Sequence, residues 1–323
     1  MEPYQIVLIV IGSILLLLIL LILAIEILSY NMFLKHKPKL DIIDNPETQL
    51  DLEGIKDQNL QNTIKQFVID AINEPHEHIY IKSFDGLKLH GALYRFGDND
   101  SPIAICCHGY HGNKFRDFGG GLKILKELKY NVLLIDQRSH YESEGRYLSF
   151  GVRETKDLSS WINKIIDIFG KECSISIQGI SMGGAVVLFA ASNENLPNNV
   201  KCVIADCPYP SPYSIFEYFV ERIHIPGWII RFLSFLTGIT FIHTNLGKYN
   251  AYKDLKNNKL PILILHGEID DVVPCKFSKK LKELYPEMIR LETFANAKHG
   301  MSYFDDTERY KRVTKEFLNK YLK

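Results

Sequence analysis

The sequence predicts an α/β fold built on a mostly parallel, doubly wound sheet, with a helical cap insertion and one N-terminal transmembrane helix. Three observations carry this prediction. From residue 79 onward, short apolar strand-like segments alternate with helical ones, which is the pattern of parallel strands joined by crossover helices. A run of about twenty apolar residues, Ile6 to Ile25, stands near the N-terminus. The segment Gly179–Gly184 places a serine between glycines where a strand gives way to a helix.

Composition and charge exclude some classes of function. The 323 residues include 38 basic and 38 acidic side chains, and no basic stripe is present, which argues against a nucleic-acid partner. The six cysteines form no CxxC pair, and most lie in strand-like apolar runs. We therefore expect reduced core cysteines rather than a disulfide framework or a zinc site.

The apolar run predicts a membrane anchor over residues 1–35. Ile6 to Ile25 is long enough to cross a bilayer as a helix, and Tyr4 and Tyr30 stand where interfacial aromatic residues are found. A cleaved signal peptide is the alternative, but the acidic Glu2 and the lack of a small-residue cleavage site argue against it. Three lysines follow the run, namely Lys35, Lys37 and Lys39, and they predict that the domain after the run lies in the cytoplasm.

A polar juxtamembrane segment, residues 36–78, precedes the sheet. Apolar residues recur there at helical spacing, which predicts a helix packed on the domain, although a solvated stalk helix remains open: Leu60, Ile64, Phe67, Val68 and Ala71. The main α/β domain is then expected over 79–323. It opens with a hairpin, in which Asp85-Gly86 joins the strand Ile79–Phe84 to the strand Leu87–Phe96.

The remaining elements follow in alternation. The predicted strands are Pro102–Cys107, Asn131–Asp136, Cys173–Gln178, Val200–Ala205, Pro261–Leu265 and Met288–Phe294. The predicted helical segments are Leu122–Leu128, Val152–Phe169, Ala185–Ala191, Phe277–Leu284 and Asp305–Tyr321. The glycines Gly119–Gly121 lack the lysine and serine of a P-loop and are interpreted as a flexible helix entry.

One insertion, Pro208 to about Lys256, interrupts the alternation. It contains no good strand and is rich in aromatic residues. Because it joins two strands of the sheet, it is expected to project from the strand ends where sites form. We interpret it as a helical cap over the site; a peripheral helical excursion is the alternative.

Ser181 stands at the position of a nucleophile elbow. A tight strand-to-helix turn requires glycine beside the serine, and the helix that follows favours developing negative charge. The alternative role for Ser181 is a helix N-cap. Farther along the chain, an acidic loop (His266–Pro274) and the segment Ala297–Gly300 each follow a strand, so both are expected at the same sheet edge as Ser181. The order serine, acid, histidine is that of a hydrolytic triad.

With these segments the chain resembles the α/β-hydrolase superfamily, in its serine esterase and S33-peptidase-like branch. The resemblance covers residue 79 to the C-terminus and rests on CCHGYHGNK from Cys106, DQRSHYESEG from Asp136, GISMGG from Gly179, HGEIDDVVP from His266 and AKHG from Ala297. It implies the α/β-hydrolase fold, with Ser181 as nucleophile, Asp270 as orienting acid and His299 as general base. Asp271 is the alternative acid.

The oxyanion hole requires two backbone N–H donors, and we expect them from Met182 and Tyr110. His108 and His111 are interpreted as structural loop residues, and His266 as a residue that supports the acid loop. The chain departs from the family at Tyr141, where relatives usually carry glycine. This tyrosine puts the size of the substrate in doubt.

These features predict a serine hydrolase that cleaves an ester or thioester with an apolar acyl group, without a metal or another cofactor. An aminopeptidase-like serine peptidase of the same fold is the second reading, with Glu217 or Glu221 holding the substrate amine. A membrane-tethered binding protein without catalysis is the third. The expected partners are a small-molecule or lipid-like ester and, through the N-terminal helix, a membrane.

Overall fold

The computed structural model describes residues 2–36 and 55–322, so part of the predicted juxtamembrane segment, together with Lys37 and Lys39, lies outside the described residues. The strands are β1 (Glu77–Lys82), β2 (Lys88–Tyr94), β3 (Ile103–Cys107), β4 (Asn131–Ile135), β5 (Ile175–Ile180), β6 (Val200–Asp206), β7 (Ile262–Gly267) and β8 (Ile289–Phe294). The helices are α1 (Pro3–Ser29), α2 (Gln58–Asn73), α3 (Lys114–Glu127), α4 (Glu154–Phe169), α5 (Met182–Ala191), α6 (Pro212–Glu221), α7 (Gly227–Ile242), α8 (Ala251–Asp254), α9 (Lys276–Leu284), α10 (Ser302–Asp305) and α11 (Thr307–Tyr321).

The eight strands form one sheet in the order β1-β2-β4-β3-β5-β6-β7-β8. Strand β2 pairs antiparallel with β1 and β4, and the strands from β4 to β8 run parallel. The predicted mostly parallel sheet is therefore confirmed, with a hairpin at one edge. Because parallel strands end at one sheet edge, the loops after β3, β5, β7 and β8 meet there.

Both faces of the sheet are covered by helices, as the uninterrupted apolar strands require. Along β3, Ile103 and Ile105 pack into the cluster that contains α4 and α5, whereas Ala104 and Cys106 pack into the cluster that contains α3 and α11. This alternation is the two-residue period of a strand. All six cysteines are buried and free.

Helix α2 packs on the domain, so the packed alternative is confirmed over the solvated stalk. Its side chains Ile64, Val68 and Ala71 are buried. The glycine run Gly119–Gly121 lies inside α3, so the expected helix entry is wrong. A methyl group on Gly119 would lie 2.7 Å from Phe67 of α2, which shows that the glycine permits close helix packing.

The insertion forms helices α6, α7 and α8 and contains no strand among its residues, as predicted. It packs against the start of α5 in a cluster that contains Met182, Ile215 and Ile242. The apolar helix α1 continues through a π-helical turn, Tyr30–Leu34, and its end packs on α7, where the Tyr30 and Phe241 rings stack at 4.9 Å. Among the described residues, Pro3–Leu34 is the one helical run whose length and apolar composition suffice to cross a membrane.

Candidate active site

Ser181 lies at a strained turn between β5 and α5. Its φ of 56° and ψ of −115° fall in a region that favours glycine. The turn is held by the Ser181 N–H, which donates to the Asp206 carbonyl at 2.9 Å. A side chain at Gly183 would overlap the carbonyl of Cys107, and one at Gly179 would overlap the carbonyl of Gly183. The glycines on both sides of the serine are therefore required by close backbone approach.

The Ser181 side chain makes no helix-capping hydrogen bond, which removes the N-cap alternative. It lies instead beside His299, on the loop after β8, with 2.9 Å between Oγ and Nε2. The other ring nitrogen, Nδ1, lies 2.7 Å from Oδ2 of Asp270, on the loop after β7. In the tautomer that satisfies both contacts, Nδ1–H donates to Asp270 and Nε2 accepts from the serine hydroxyl.

Asp270 is held in the ionised form by its surroundings. Burial alone would raise the pKa of this carboxyl, but hydrogen bonds from His266, His299 and the Val273 N–H hold the pKa well below its ordinary range. Oδ1 accepts the Val272 and Val273 N–H groups at 2.9 and 2.8 Å, which leaves Oδ2 to face the histidines.

The neighbouring carboxylate, Asp271, is exposed. Its backbone carbonyl accepts a hydrogen bond from Arg222 at 3.2 Å. His266 is fully buried beneath the acid loop, where Nδ1 contacts Ser278 Oγ and Nε2 contacts the Val273 carbonyl. This agrees with the supporting role expected of His266.

The two expected oxyanion donors, Met182 and Tyr110, belong to segments that lie next to Ser181. Met182 is the first residue of α5, so its N–H has no partner within the helix. Tyr110 follows Gly109, and a methyl group on Gly109 would lie 3.4 Å from the Ser181 Cβ. The Tyr110 hydroxyl donates to the Phe33 carbonyl at 2.9 Å, which ties this loop to the end of the α1 segment.

The loop after β3 also carries His108 and His111, whose ring contacts are with other parts of the loop and its surroundings. His108 is fully buried, and its Nε2 accepts the Gln137 N–H at 3.1 Å while Nδ1 faces the Gly109 carbonyl at 2.9 Å. Burial lowers the pKa of His108, which favours the neutral ring that these contacts need. The ring of His111 stacks on that of Tyr110.

A cavity of about 280 Å³ opens beside Ser181 and His299. Its other walls come from the α2, α3, α10 and α11 side and are mainly aliphatic and aromatic, among them Ile64, Ile180, Ile204, Met301, Tyr303 and Phe304. No described residue of the 208–256 insertion lines it. The insertion lies instead beside Tyr110 and the acid loop. The Phe216 ring packs on that of Phe150, with 4.6 Å between centroids, and Phe150 in turn stacks on Tyr110. Arg222 donates to the backbone carbonyl of Asp271.

Tyr141 does not form a wall of this cavity. Its side chain is buried, and the Lys114 ammonium lies 5.5 Å above its ring. Its φ of 45° explains why relatives would favour glycine at this position. The tyrosine therefore fills the loop rather than narrowing the site.

Asp206 is a site residue that the sequence reasoning missed. It ends β6, lines the cavity and accepts hydrogen bonds from Ser302 at 3.2 Å and Tyr310 at 3.1 Å. Burial raises the pKa of its carboxyl to about 6, despite those bonds and the nearby His266 and His299. The sequence did contain an indication of this residue, because Asp206 directly follows the predicted apolar strand Val200–Ala205, and the candidate catalytic residues also follow strands.

Comparisons with known proteins agree with this architecture. A family model described as alpha/beta hydrolase fold matches residues 102–225. The uncharacterized protein YqkD of Bacillus subtilis is 26% identical over 233 residues, which cover 70% of this chain and 74% of that protein.

Two solved structures are similar in fold. The esterase Pf2001 of Pyrococcus furiosus has a TM-score of 0.61 at 22% identity, over 77% of this chain and 94% of that one. The acylaminoacyl peptidase of Pyrococcus horikoshii has a TM-score of 0.61 at 17% identity, over 80% of this chain and 43% of that one. At these identities the likeness establishes the fold.

Proposed function

We propose that this chain, which belongs to the α/β hydrolases by its fold, is a serine hydrolase that cleaves esters or thioesters with an apolar acyl group. The observation that carries the proposal is the continuous contact from Ser181 Oγ through His299 to Asp270, with separations of 2.9 and 2.7 Å. A serine, a base within hydrogen-bond reach and a third group that orients the base are the requirements of nucleophilic catalysis.

In this mechanism His299 takes the hydroxyl proton at Nε2 while Ser181 Oγ attacks the acyl carbon. The Asp270 carboxylate holds the ring and stabilises the imidazolium that forms. Backbone N–H groups of Met182 and Tyr110 stabilise the negative oxygen of the tetrahedral intermediate. The intermediate expels an alcohol or thiol, which takes the proton from Nε2, and water then releases the acid by the same steps in reverse.

The walls of the cavity support an apolar acyl group. The side chains that line it beyond Ser181 are mainly aliphatic and aromatic, so they offer an alkyl chain a favourable transfer from water. Polar side chains also line the cavity, namely Arg116, Asp117, Gln178, Asp206 and Thr314. Burial raises the pKa of Asp206 to about 6, so its carboxyl becomes increasingly neutral as the pH falls below that value.

The catalytic proposal is tested with Ser181→Ala on short p-nitrophenyl esters and with a fluorophosphonate probe. We expect both activity and labelling to disappear. Ser192→Ala is the matched control, because Ser192 ends the same helix and its hydroxyl bonds only to the Leu188 carbonyl. Full ester hydrolysis by the Ser181→Ala protein would refute the mechanism, and a wild-type protein that takes no label would favour the binding-protein reading.

The peptidase alternative has support in the fold of the acylaminoacyl peptidase. Of the two acidic residues suggested for it, Glu217 forms an ion pair with Arg231 and Glu221 is exposed, and neither lines the cavity beside Ser181. We therefore place ester cleavage first. Hydrolysis of aminoacyl arylamides at a higher kcat/KM than that of acyl esters would reverse this order.

We further propose that α1 anchors the chain in a membrane and that α7 rests on the same membrane, with the catalytic domain in the cytoplasm. Large apolar side chains of α7 are exposed at positions that share one helix face: Trp228 (71%), Phe232 (51%), Phe235 (41%) and Ile239 (43%). Exposed apolar patches of this kind mark contact sites for proteins or membranes. The end of α1 packs on α7, so the two apolar surfaces are neighbours.

The two tryptophans make this proposal testable. Trp161 is fully buried in the core, whereas Trp228 lies on the exposed face. In nanodiscs that contain acyl-chain-brominated phosphatidylcholine, we expect quenching of the full-length chain and none of the Trp228→Phe variant. Equal, unquenched emission from the wild-type chain and the Trp228→Phe variant would refute the contact of α7 with the membrane. Release of the full-length chain from membranes by alkaline carbonate would separately refute the anchor.

A further inference from the structure

Three side chains that the catalytic proposal does not use converge at the hairpin edge of the sheet. In the β1–β2 ladder, Tyr80 stands opposite His90, so His78 lies diagonally across from His90 on the same face. The His78 Nδ1 and His90 Nε2 atoms are 2.8 Å apart. Glu142, from the loop after β4, places Oε1 at 3.8 Å from the first nitrogen and 3.6 Å from the second.

We propose that His78, His90 and Glu142 form a binding site for a divalent first-row metal ion, with Zn²⁺ as the favoured occupant. Imidazole nitrogen and carboxylate oxygen are ligands that Zn²⁺ accepts, and two histidines with one glutamate are a known donor set. The circle through the three ligand atoms has a radius of about 2.0 Å, which is the length of a Zn–N or Zn–O bond. One ion therefore reaches all three atoms with small side-chain movements.

A second layer of contacts orients two of the ligands. His90 Nδ1 lies 2.6 Å from Asp136 Oδ2, and this fully buried carboxylate is also paired with Lys114 at 2.7 Å. A proton on Nδ1 leaves the lone pair of Nε2 facing the site. Metal-binding histidines commonly donate their other N–H to a carboxylate, which fixes the tautomer and the ring orientation.

Glu142 is oriented in the same way. The Tyr80 hydroxyl donates to its Oε2 at 2.8 Å, and Oε1 is left to face the two imidazoles at separations too long for direct hydrogen bonds. The separations are suited to an ion between the groups.

The site is open to solvent on one side. The side chain of His90 is 1% exposed, whereas those of His78 and Glu142 are 52% and 26% exposed. An ion can thus enter from solution and keep water at its fourth position. None of the three residues lines the cavity beside Ser181, so the ion would join the edge hairpin to the loop that contains Tyr141 rather than take part in ester cleavage.

The direct contact between His78 and His90 satisfies both rings without a metal, so binding must be measured. Full-length protein in detergent is freed of metal with a chelator and titrated with Zn²⁺ by calorimetry, and with Co²⁺ by visible absorption. We expect one ion at this site, a Co²⁺ spectrum of low-coordinate nitrogen and oxygen ligands, and a rise in the melting temperature with Zn²⁺.

Variants separate this site from other histidines. We expect His78→Ala and the isosteric Glu142→Gln each to weaken Zn²⁺ binding at least tenfold, consistent with the loss of one ligand. His76→Ala, two residues before His78 and just outside β1, and His299→Ala, at the serine, should retain the affinity. The proposal is overturned if wild type binds no Zn²⁺ at micromolar concentrations, if His78→Ala and Glu142→Gln bind as wild type does, or if His299→Ala removes the binding.

Discussion

The substitution Asp270→Asn tests the proposed mechanism most directly. Asparagine keeps an Oδ1 acceptor for the Val272 and Val273 N–H groups, at 2.9 and 2.8 Å in the native chain. It replaces the oxygen that faces His299 Nδ1 at 2.7 Å by an NH₂ donor. The ring must then accept at Nδ1 and carry its proton on Nε2, so Nε2 no longer accepts the proton of Ser181.

The expected loss follows from this exchange of tautomer. When the orienting acid of a serine–histidine pair is replaced by its amide, kcat falls by about 10⁴-fold, or about 5.5 kcal/mol of transition-state stabilisation. We expect a fall of about 10³- to 10⁴-fold in kcat on a p-nitrophenyl ester. The KM should change little, because Asp270 lies behind the histidine and is absent from the cavity walls.

Asp271→Asn provides the matched control, since Asp271 is the adjacent carboxylate and is exposed. Its kcat should remain within about threefold of the wild-type value, as expected for a solvated surface group. Thermal melting must show that both variants fold. The reasoning is wrong if Asp270→Asn retains more than a tenth of the wild-type kcat, or if Asp271→Asn loses as much activity.

Three further predictions concern two buried charged groups and the turn that carries the serine. Lys114→Met leaves the Asp136 charge buried without the ammonium that contacts both of its oxygens, and should lower the free energy of unfolding by about 3–5 kcal/mol in denaturant titrations. The folded-state pKa of Asp206, about 6, exceeds its ordinary value of 3.8, so its contribution to stability is complete below about pH 4 and is lost as the pH rises through 6. Asp206→Asn should therefore gain up to about 3 kcal/mol relative to wild type between pH 4 and 7, whereas a pH-independent difference would contradict the assigned pKa. Gly183→Ala should abolish fluorophosphonate labelling, because its methyl group overlaps the Cys107 carbonyl; a labelled, stable variant would show that the turn tolerates a side chain.

Strand positions were largely predictable because each central strand is a short apolar run between polar turns. The β3 segment, for example, is predicted as Pro102–Cys107 and observed as Ile103–Cys107. The glycine run in α3 was misread because local propensity disfavours glycine inside a helix. Glycine is required there because Phe67 and Tyr303 pack closely against the helix. Both residues are far from the glycines in the sequence, so the local pattern does not reveal these contacts.

The candidate catalytic residues were selected from local sequence patterns and from the family motifs that those patterns resemble. Ser181, Asp270 and His299 each follow a strand, and parallel strands deliver such residues to one sheet edge. The cavity wall was not predictable in this way. Its lining comes from α2 and the C-terminal helices rather than from the aromatic insertion, because helix packing on the sheet decides which side chains surround the serine.

The sequence by itself therefore determined the strand–helix alternation, the apolar N-terminal helix and the loops that carry the three candidate catalytic residues. These properties depend on short-range periodicity and turn chemistry, which neighbouring residues encode. Only the tertiary structure decided the cavity wall, the raised pKa of the Asp206 carboxyl and the meeting of His78, His90 and Glu142. These features arise where segments far apart in the chain pack together, and no local spacing records such contacts.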